Sequence, residues 1–332
     1  MELNMSMKHL MTSVMAGGLA LMMTLPAQAR DFRLGLITPP PHRWTQAAEA
    51  FAEDVKQKSG GEHSIAVFPS QQLGNEAQMV QQLQTGALDM AFLTVAEISN
   101  RVPDFGALYA PYLVENIDQA AALLKSEAAT DLLSQLPSEA GLVGVGYGMA
   151  GLRQVMSRDK LEGPADLEGK KLRITPFEPI RDFYKATGAA PTPMPLPAVY
   201  DALANGQIDA IDMDFDSILI FKFYDRSDKM LISNHMMFPM VGVVSGRVWK
   251  DLSKDDRELL KTSMRAQLDA VIDHFQALEK KQEQELRGLN ITISEANKDD
   301  FADAITEWEK IWAPKAPSLP NLRKAVAEIK GS

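Results

Sequence analysis

Cysteine is absent from the 332-residue chain. That removes disulfides, thiolate nucleophiles, cysteine-ligated zinc and a lipid-modified N-terminal cysteine from consideration. An excess of basic charge is also missing: 34 Lys and Arg stand against 44 Asp and Glu, giving a net charge of -10 and a pI near 5.1. General nucleic-acid binding needs a basic footprint and is excluded on that ground. Histidine is scarce, with five residues at 9, 42, 63, 235 and 274, and no pair has the H-E-x-x-H spacing of a zincin. No G-x-S-x-G elbow and no Walker A loop occurs. After residue 30 no apolar run approaches the ~20 residues of a membrane span. What remains is ordinary for a globular chain: 45% hydrophobic and 23% charged residues, with length for about two domains and a large core.

The first thirty residues stand apart. Lys8 and His9 precede an apolar stretch from Leu10 to Leu25, followed by Pro26 and the triplet Ala27-Gln28-Ala29. This is the layout of a signal peptide with an A-x-A cleavage site, and the stretch is short for a membrane anchor. The expectation is an exported chain cleaved after Ala29 and placed in the periplasm. It must be stable without disulfide staples, which suits a large core.

Along the mature chain the hydrophobic pattern alternates between strand and helix. Phe32, Leu34 and Leu36 read as a strand, Trp44 to Val55 as a helix, Ser64–Phe68 as a strand, a helix capped by Asn75 with Met79 and Leu83, and Leu88–Leu93 as a third strand. This β-α-β-α-β order predicts a mostly parallel sheet with helices on its faces. A second α/β block follows Gly151, with strand-like runs at Arg153–Ser157, Lys171–Thr175 and Ile208–Met213 and helices at Phe177–Ala186 and Ala198–Asn205. The proline-rich run Pro191–Pro197 between them cannot lie in a central strand and reads as extended chain.

Ser253-Lys254-Asp255-Asp256 resembles a capping box, and Leu260, Met264, Leu268, Val271, Phe275 and Leu278 then recur at helical spacing up to Gly288. The helix expected over about 254–287 would be roughly 50 Å long at 1.5 Å per residue, too long for one small domain. The chain is therefore expected to divide discontinuously: a signal peptide over 1–29, a first domain of 30–150 plus about 239–278, and a second of 151–238 plus about 279–332, with the long helix spanning both.

One motif invites a cofactor. Gly146-Tyr147-Gly148-Met149-Ala150-Gly151 matches G-x-G-x-x-G, and Glu168 follows Gly148 by about the interval of a ribose-binding acid. The residues after it, Leu152 to Arg158, alternate as a strand and show no helix start, so a bound pyrophosphate would find no helix N-terminus. A glycine-rich strand crossing at a hinge is the expected reading, and no cofactor and no metal site are expected.

Several short motifs occur in one order along the rest of the chain. Asp166-Leu167-Glu168-Gly169-Lys170-Lys171-Leu172-Arg173 is followed by Gly188-Ala189-Ala190-Pro191-Thr192-Pro193-Met194. Val199-Tyr200-Asp201-Ala202-Leu203 with Gly206-Gln207-Ile208-Asp209 comes next, then Lys222-Phe223-Tyr224 and Asn234-His235. N-terminally, Phe51-Ala52, Leu73-Gly74 and Gly86-Ala87-Leu88-Asp89 also fit. Together they resemble the substrate-binding proteins of tripartite ATP-independent periplasmic (TRAP) transporters, of the dicarboxylate-receptor kind. The resemblance covers nearly the whole mature chain. It implies a bilobed α/β receptor of the periplasmic-binding-protein type that closes over a small organic acid and delivers it to a membrane permease, without enzymatic activity. A monomer is the simpler default.

The resemblance puts Arg173 at the family's carboxylate-anchoring position. Physics suits the role, because a guanidinium forks onto a carboxylate through two charge-assisted hydrogen bonds. Arg153 matches a second family arginine and would either add charge to the pocket or form a hinge ion pair. His42 and Trp44 follow the first strand and Glu97 follows the third, where the cleft of an open α/β fold lies. Phe177 follows Arg173. His235 would either contact the solute or be a satisfied hinge histidine. The stretch Asp209–Asp216 departs from the family, with Met213 where a ligand-contacting Asn is common and Asp212 and Asp214 where Glu and Pro are common. On an extended backbone Asp212, Asp214 and Asp216 would share one face, with Asp214 facing the cleft. That acidity leaves open an amine or amino-bearing solute, or a cation bridging ligand and protein. A secreted enzyme on this scaffold is the remaining alternative, though no general base lies beside a nucleophile or metal in the sequence.

Overall fold

The computed structural model describes residues 29–331; residues 1–28, all but the last of the expected signal peptide, lie outside them. The chain runs β1 (Arg30–Leu36), α1 (Arg43–Lys58), β2 (His63–Phe68), α2 (Glu76–Thr85), β3 (Met90–Thr94) and α3 (Val95–Ser99). After a 3-10 segment, Pro103–Tyr109, come α4 (Ile117–Lys125), α5 (Glu127–Leu132) and α6 (Leu136–Glu139). β4 (Leu142–Leu152) then crosses into β5 (Gln154–Ser157), β6 (Lys171–Ile174), α7 (Glu178–Ala186), β7 (Ala190–Pro193), α8 (Val199–Ala204), β8 (Ala210–Met213), α9 (Phe215–Phe221) and β9 (Lys229–Ile232). The chain returns through β10 (Met237–Ser245), α10 (Gly246–Asp251) and α11 (Lys254–Arg287), and ends with β11 (Thr292–Glu295), α12 (Ala302–Trp312) and α13 (Leu319–Gly331).

Two sheets result, in the strand orders β2-β1-β3-β10-β4 and β11-β9-β5-β8-β6-β7. The βαβ units pair in parallel: β1 with β2 and β3, β6 with β7 and β8. The returning strands do not. β10 runs antiparallel to β3 and β4, and β5 antiparallel to β8 and β9. The sheets are therefore mixed rather than mostly parallel, because β10 enters the first sheet and β5 the second from the crossings between the lobes, against the direction of their neighbours. β7 carries the prolines at the sheet edge, the one place where a missing N–H costs no ladder bond.

The two crossings meet at a hinge. Between β4 and β5 the backbone N–H of Arg153 donates to the Met236 carbonyl at 2.7 Å, joining the first crossing to the second. Gly151 there adopts a φ of +90°, and Asn234 on the opposite crossing one of 48°. α11 forms as expected, 34 residues from an N-cap at Ser253, and packs along β4, α1 and α4 before reaching α9 of the second lobe. The glycines of the G-x-G-x-x-G motif explain that packing. A Cβ on Gly146 would meet Arg265 Cδ at 3.0 Å, and one on Gly148 would meet Met240 Cγ at 2.9 Å and Val271 at 3.2 Å. They let α11 lie close on β4, so the motif belongs to a strand and serves helix packing.

α12 packs on α7, with Trp308 Nε1 donating to the Pro179 carbonyl at 2.9 Å and Trp312 Nε1 to Asp182 Oδ2 at 3.1 Å. α13 instead returns to α4, α5 and the 3-10 segment beneath the first sheet; the expected division had kept residues 279–332 together. No helix among the described residues is long and apolar enough to cross a membrane.

Candidate functional site

A cavity of about 350 Å³ opens between the two sheets. Its walls come from the carboxyl ends of strands, as expected for open α/β sheets. The first lobe contributes Thr38, His42 and Trp44 after β1, Asn75 and Glu76 at the start of α2, and Glu97 after β3. The second contributes Arg173, Thr175 and Phe177 at the end of β6, and Met213 and Asp214 at the end of β8. Arg153 and Phe238 line it from the crossings. Of the ten residues singled out in the sequence, eight face this cavity: Arg173, Arg153, Asp214, Met213, His42, Trp44, Glu97 and Phe177. Asp212 and His235 do not.

Arg173 is 2% exposed. Its Nε and Nη2 donate to the Met194 carbonyl at 2.9 and 2.7 Å. That acceptor is set by the proline-rich run, whose Met194 N–H is held by the Ile174 carbonyl at 3.1 Å. Among the described residues no carboxylate lies within 4.0 Å of this guanidinium. Burial, and then the nearby charge of Arg153, pull its pKa down to about 9. A buried cation without an anion is costly, and here its unclaimed Nη1–Nη2 edge belongs to a residue lining an open cavity.

Arg153 is arranged in the opposite way. Nε donates to Asp212 Oδ1 at 2.6 Å, Nη2 to the Asp212 carbonyl at 2.5 Å and also to Oδ1, and Nη1 to Asp214 Oδ2 at 3.0 Å. Its guanidinium lies 4.3 Å from the centroid of Phe238. Burial disfavours its charge, but Asp212 and Asp214 outweigh that and hold it above the ordinary arginine value. Arg153 therefore forms the hinge ion pair of the two readings offered above, and its charge is spent inside the protein.

Asp212 and His235 complete that network behind the cavity. Asp212 Oδ2 accepts from the Tyr184 hydroxyl at 2.8 Å, and His235 Nε2 lies 3.2 Å from the same oxygen. His235 Nδ1 sits 2.8 Å from Ser233 Oγ, and its ring stacks on Phe183 at 5.4 Å. Both residues are fully buried. Burial would raise the Asp212 carboxyl, yet Arg153 and His235 hold it well below the usual carboxylate range. Neither residue lines the cavity. The expected shared face of Asp212, Asp214 and Asp216 is not formed, because the strand ends at Met213. Asp214 is the N-cap of α9, accepting from Ser217 N at 2.8 Å, and Asp216 lies in the first turn of that helix. Burial holds the Asp214 carboxyl above its ordinary value against the pull of Arg153. Both Asp214 oxygens are engaged and Asp216 does not line the cavity, so the acidic stretch presents no unengaged carboxylate oxygen to it.

On the first lobe, His42 caps α1, its Nδ1 accepting from Trp44 N at 3.1 Å. Burial, with a smaller push from His274, drags its pKa down to about 3, so it is neutral. Trp44 is fixed by its Nε1 bond to the Met149 carbonyl at 2.9 Å. Glu97 pairs with Arg101 one turn on, and burial raises its carboxyl.

Glu76 was not singled out in the sequence, where Asn75 reads only as a cap. It accepts from Thr94 N at 2.6 Å and Thr94 Oγ1 at 2.9 Å, and burial pushes it up to about 8. The available signal was its place at the first helical position after a cap, on a helix entered from a strand's carboxyl side. Gln71 and Phe238 were also missed; Gln71 lines the cavity with a φ of 62° beside Ser70 at 54°. Among the described residues no group of three or more His, Asp or Glu is placed to hold a metal ion.

Comparison with known proteins gives the family and the fold. The model of the bacterial extracellular solute-binding proteins, family 7, matches residues 34–316. The sialic acid-binding periplasmic protein of Vibrio cholerae is 27% identical over 252 residues, 74% of this chain and 77% of that one. The 2,3-diketo-L-gulonate-binding periplasmic protein of Escherichia coli is 25% identical over 331 residues, 98% of this chain and all of that one. Among solved structures, a TRAP periplasmic solute-binding protein of a Bradyrhizobium species in complex with galacturonate superposes with a TM-score of 0.82 at 27% identity, covering 89% of this chain and 100% of its own.

Proposed function

The chain belongs to the bacterial extracellular solute-binding protein family 7, and from that premise we propose that Arg173 anchors the carboxylate of the small organic acid that this TRAP receptor binds and delivers to its membrane permease. The family is made of solute-binding proteins, and this chain acts by binding and closure alone. The single observation that carries the anchor is the buried Arg173 guanidinium, which lines the cavity and has no carboxylate partner of its own. A solute carboxylate supplies the missing charge through a forked, charge-assisted pair in a site sheltered from water.

Two lobes close over the solute. The division that the contacts support gives residues 30–150, about 237–278 and 319–331 to the first lobe, and about 154–232 and 279–312 to the second. Cavity walls from both lobes mean that a bound acid favours the closed form by its differential affinity for it. The relatives named above bind sialic acid, diketogulonate and galacturonate, all carboxylic acids. An amine-specific receptor lacks support, because Asp212 and Asp214 are consumed by Arg153.

Thermal unfolding of ligand-stripped protein against a panel of acids, amines and neutral amides tests the reading. Saturation at 100 times Kd adds about 2.7 kcal/mol, so a matching acid raises the melting temperature visibly. A shift with amines or amides and none with acids contradicts the assignment.

A further inference from the structure

The reading of the cleft as a carboxylate receptor leaves the kind of acid open, and the inference drawn here rests on that reading. The charges lining the cavity are uneven. It contains two guanidinium groups, but every nitrogen of Arg153 donates to Asp212 or Asp214. His42 is buried as the cap of α1 and adds no charge. Only Arg173 is left, and its Nε and Nη2 already hold one carbonyl. What remains is one end-on fork, room for one carboxylate.

The opposite wall is acidic. Glu76 and Glu97, on α2 and α3 of the first lobe, both face the cavity and are 7% and 4% exposed. A second solute carboxylate would be buried there with no cation left to pair with it, since Arg153 is spent on Asp212 and Asp214 and Arg101 on Glu97. A hydroxyl fits instead. Glu97 is already neutralised by Arg101, while its Oε2 holds only a long 3.4 Å bond from Asn100, so it has acceptor capacity without needing a cation. Between the two ends, Trp44, Phe177, Leu196, Met213 and Phe238 line the cavity. Thr38, Gln71, Asn75, Asn100, Thr175 and Ser217 interrupt a lining that is otherwise mostly apolar, so a body hydroxylated at every carbon would turn several hydroxyls onto apolar wall without water or partner. The volume, about 350 Å³, is at the small end for ligand sites.

We infer that the solute is a hydroxy monocarboxylic acid with an apolar body: Arg173 takes its single carboxylate, the aromatic and aliphatic walls take the body, and Glu97 accepts from a hydroxyl at the far end. Dicarboxylates and polyhydroxylated sugar acids are disfavoured, the first because one unspent guanidinium takes one carboxylate and the second by the mostly apolar lining.

A matched series titrated calorimetrically into ligand-stripped mature protein tests this class. The probes are 4-hydroxyphenylacetate, phenylacetate, 4-carboxyphenylacetate, D-glucuronate and 4-hydroxyphenylacetamide. The hydroxy acid binds tightest. Loss of the hydroxyl weakens binding about tenfold; the second carboxylate or the sugar body weakens it about a hundredfold or more. In Glu97→Gln the disadvantage of 4-carboxyphenylacetate relative to the hydroxy acid shrinks. If 4-carboxyphenylacetate or glucuronate matches the hydroxy acid in the wild type, the inference is overturned while the Arg173 anchor stands. If no member binds, the inference is overturned as well. Amide binding equal to that of the acid removes the carboxylate anchor itself, and with it the reading on which the inference rests.

Discussion

Arg173 and Arg153 are the same side chain put to opposite uses, and the difference lies in their neighbours. Arg153 is closed by Asp212 and Asp214; Arg173 is left with a carbonyl and a cavity. An unpaired buried charge is tolerated only where it has work to do, which gives a prediction on the empty protein. Arg173→Met loses the bonds to the Met194 carbonyl, worth about 1 kcal/mol, but removes a desolvated charge that Arg153 repels. Its ligand-free melting temperature is expected to equal or exceed that of the wild type, as for other side chains kept for binding at the expense of stability. A fall of several degrees would show Arg173 to be structural. The sequence singled out Arg173 through its motif, and the structure sets it on the cavity wall. It did not disclose that Arg153 is spent, because the partners lie some sixty positions away and only the fold brings them together. Glu76 stayed hidden for a related reason: its neighbour Asn75 gives a complete account of the local pattern as a helix cap.

At the level of elements, α11 was legible to the residue, since its cap and its apolar spacing are both local signals. Strand direction was not. Periodicity marks β5 and β10 as strands but carries nothing about the direction from which they enter their sheets. Nor did it reveal what α11 does at the hinge. Its apolar face gives way to Glu279 and Gln282, both buried. Glu279 lies 3.0 Å from where a Cβ on Gly151 would sit, and Gln282 Nε2 donates to Asp216 Oδ1 at 2.6 Å. Glu279 Oε1, Asp216 Oδ2 and Gln282 Oε1 are buried without partners. Burial first, then Asp214 and further off Glu283 and Asp216, push Glu279 up to about 8 against one bond from the Leu152 backbone. The folded protein thus keeps a proton that the unfolded chain, with an ordinary value of 4.5, releases. This contribution to stability is complete below that ordinary value and is lost as pH rises towards about 8. Glu279→Gln, which imitates the protonated form, is expected to melt with the wild type in acid and above it on the alkaline side of that range. Thermal unfolding across pH checks this, and a variant less stable than the wild type in alkali would contradict it.

The whole molecule is organised around the hinge. Two α/β lobes were legible from the alternation of strand and helix, and their discontinuity from the length of α11. The return of α13 to the first lobe was not, because a short amphipathic helix fits either lobe by pattern alone. Closure about Gly151 and Asn234 is the motion this architecture permits, and the absence of cysteine makes it easy to follow. Spin labels on cysteines introduced at exposed Glu49 of α1 and Asp201 of α8 are expected to give a new distance distribution on addition of a binding acid. An unchanged distribution at saturation would argue against closure. The central claim, that Arg173 holds the carboxylate of an organic acid, is tested most directly by titrating the tightest-binding acid into the wild type and Arg173→Met. Removing one partner of a buried charge pair costs about 2–5 kcal/mol, so the account predicts an affinity about a hundredfold or more weaker in a variant that is still folded. Equal affinities in the two proteins would contradict it.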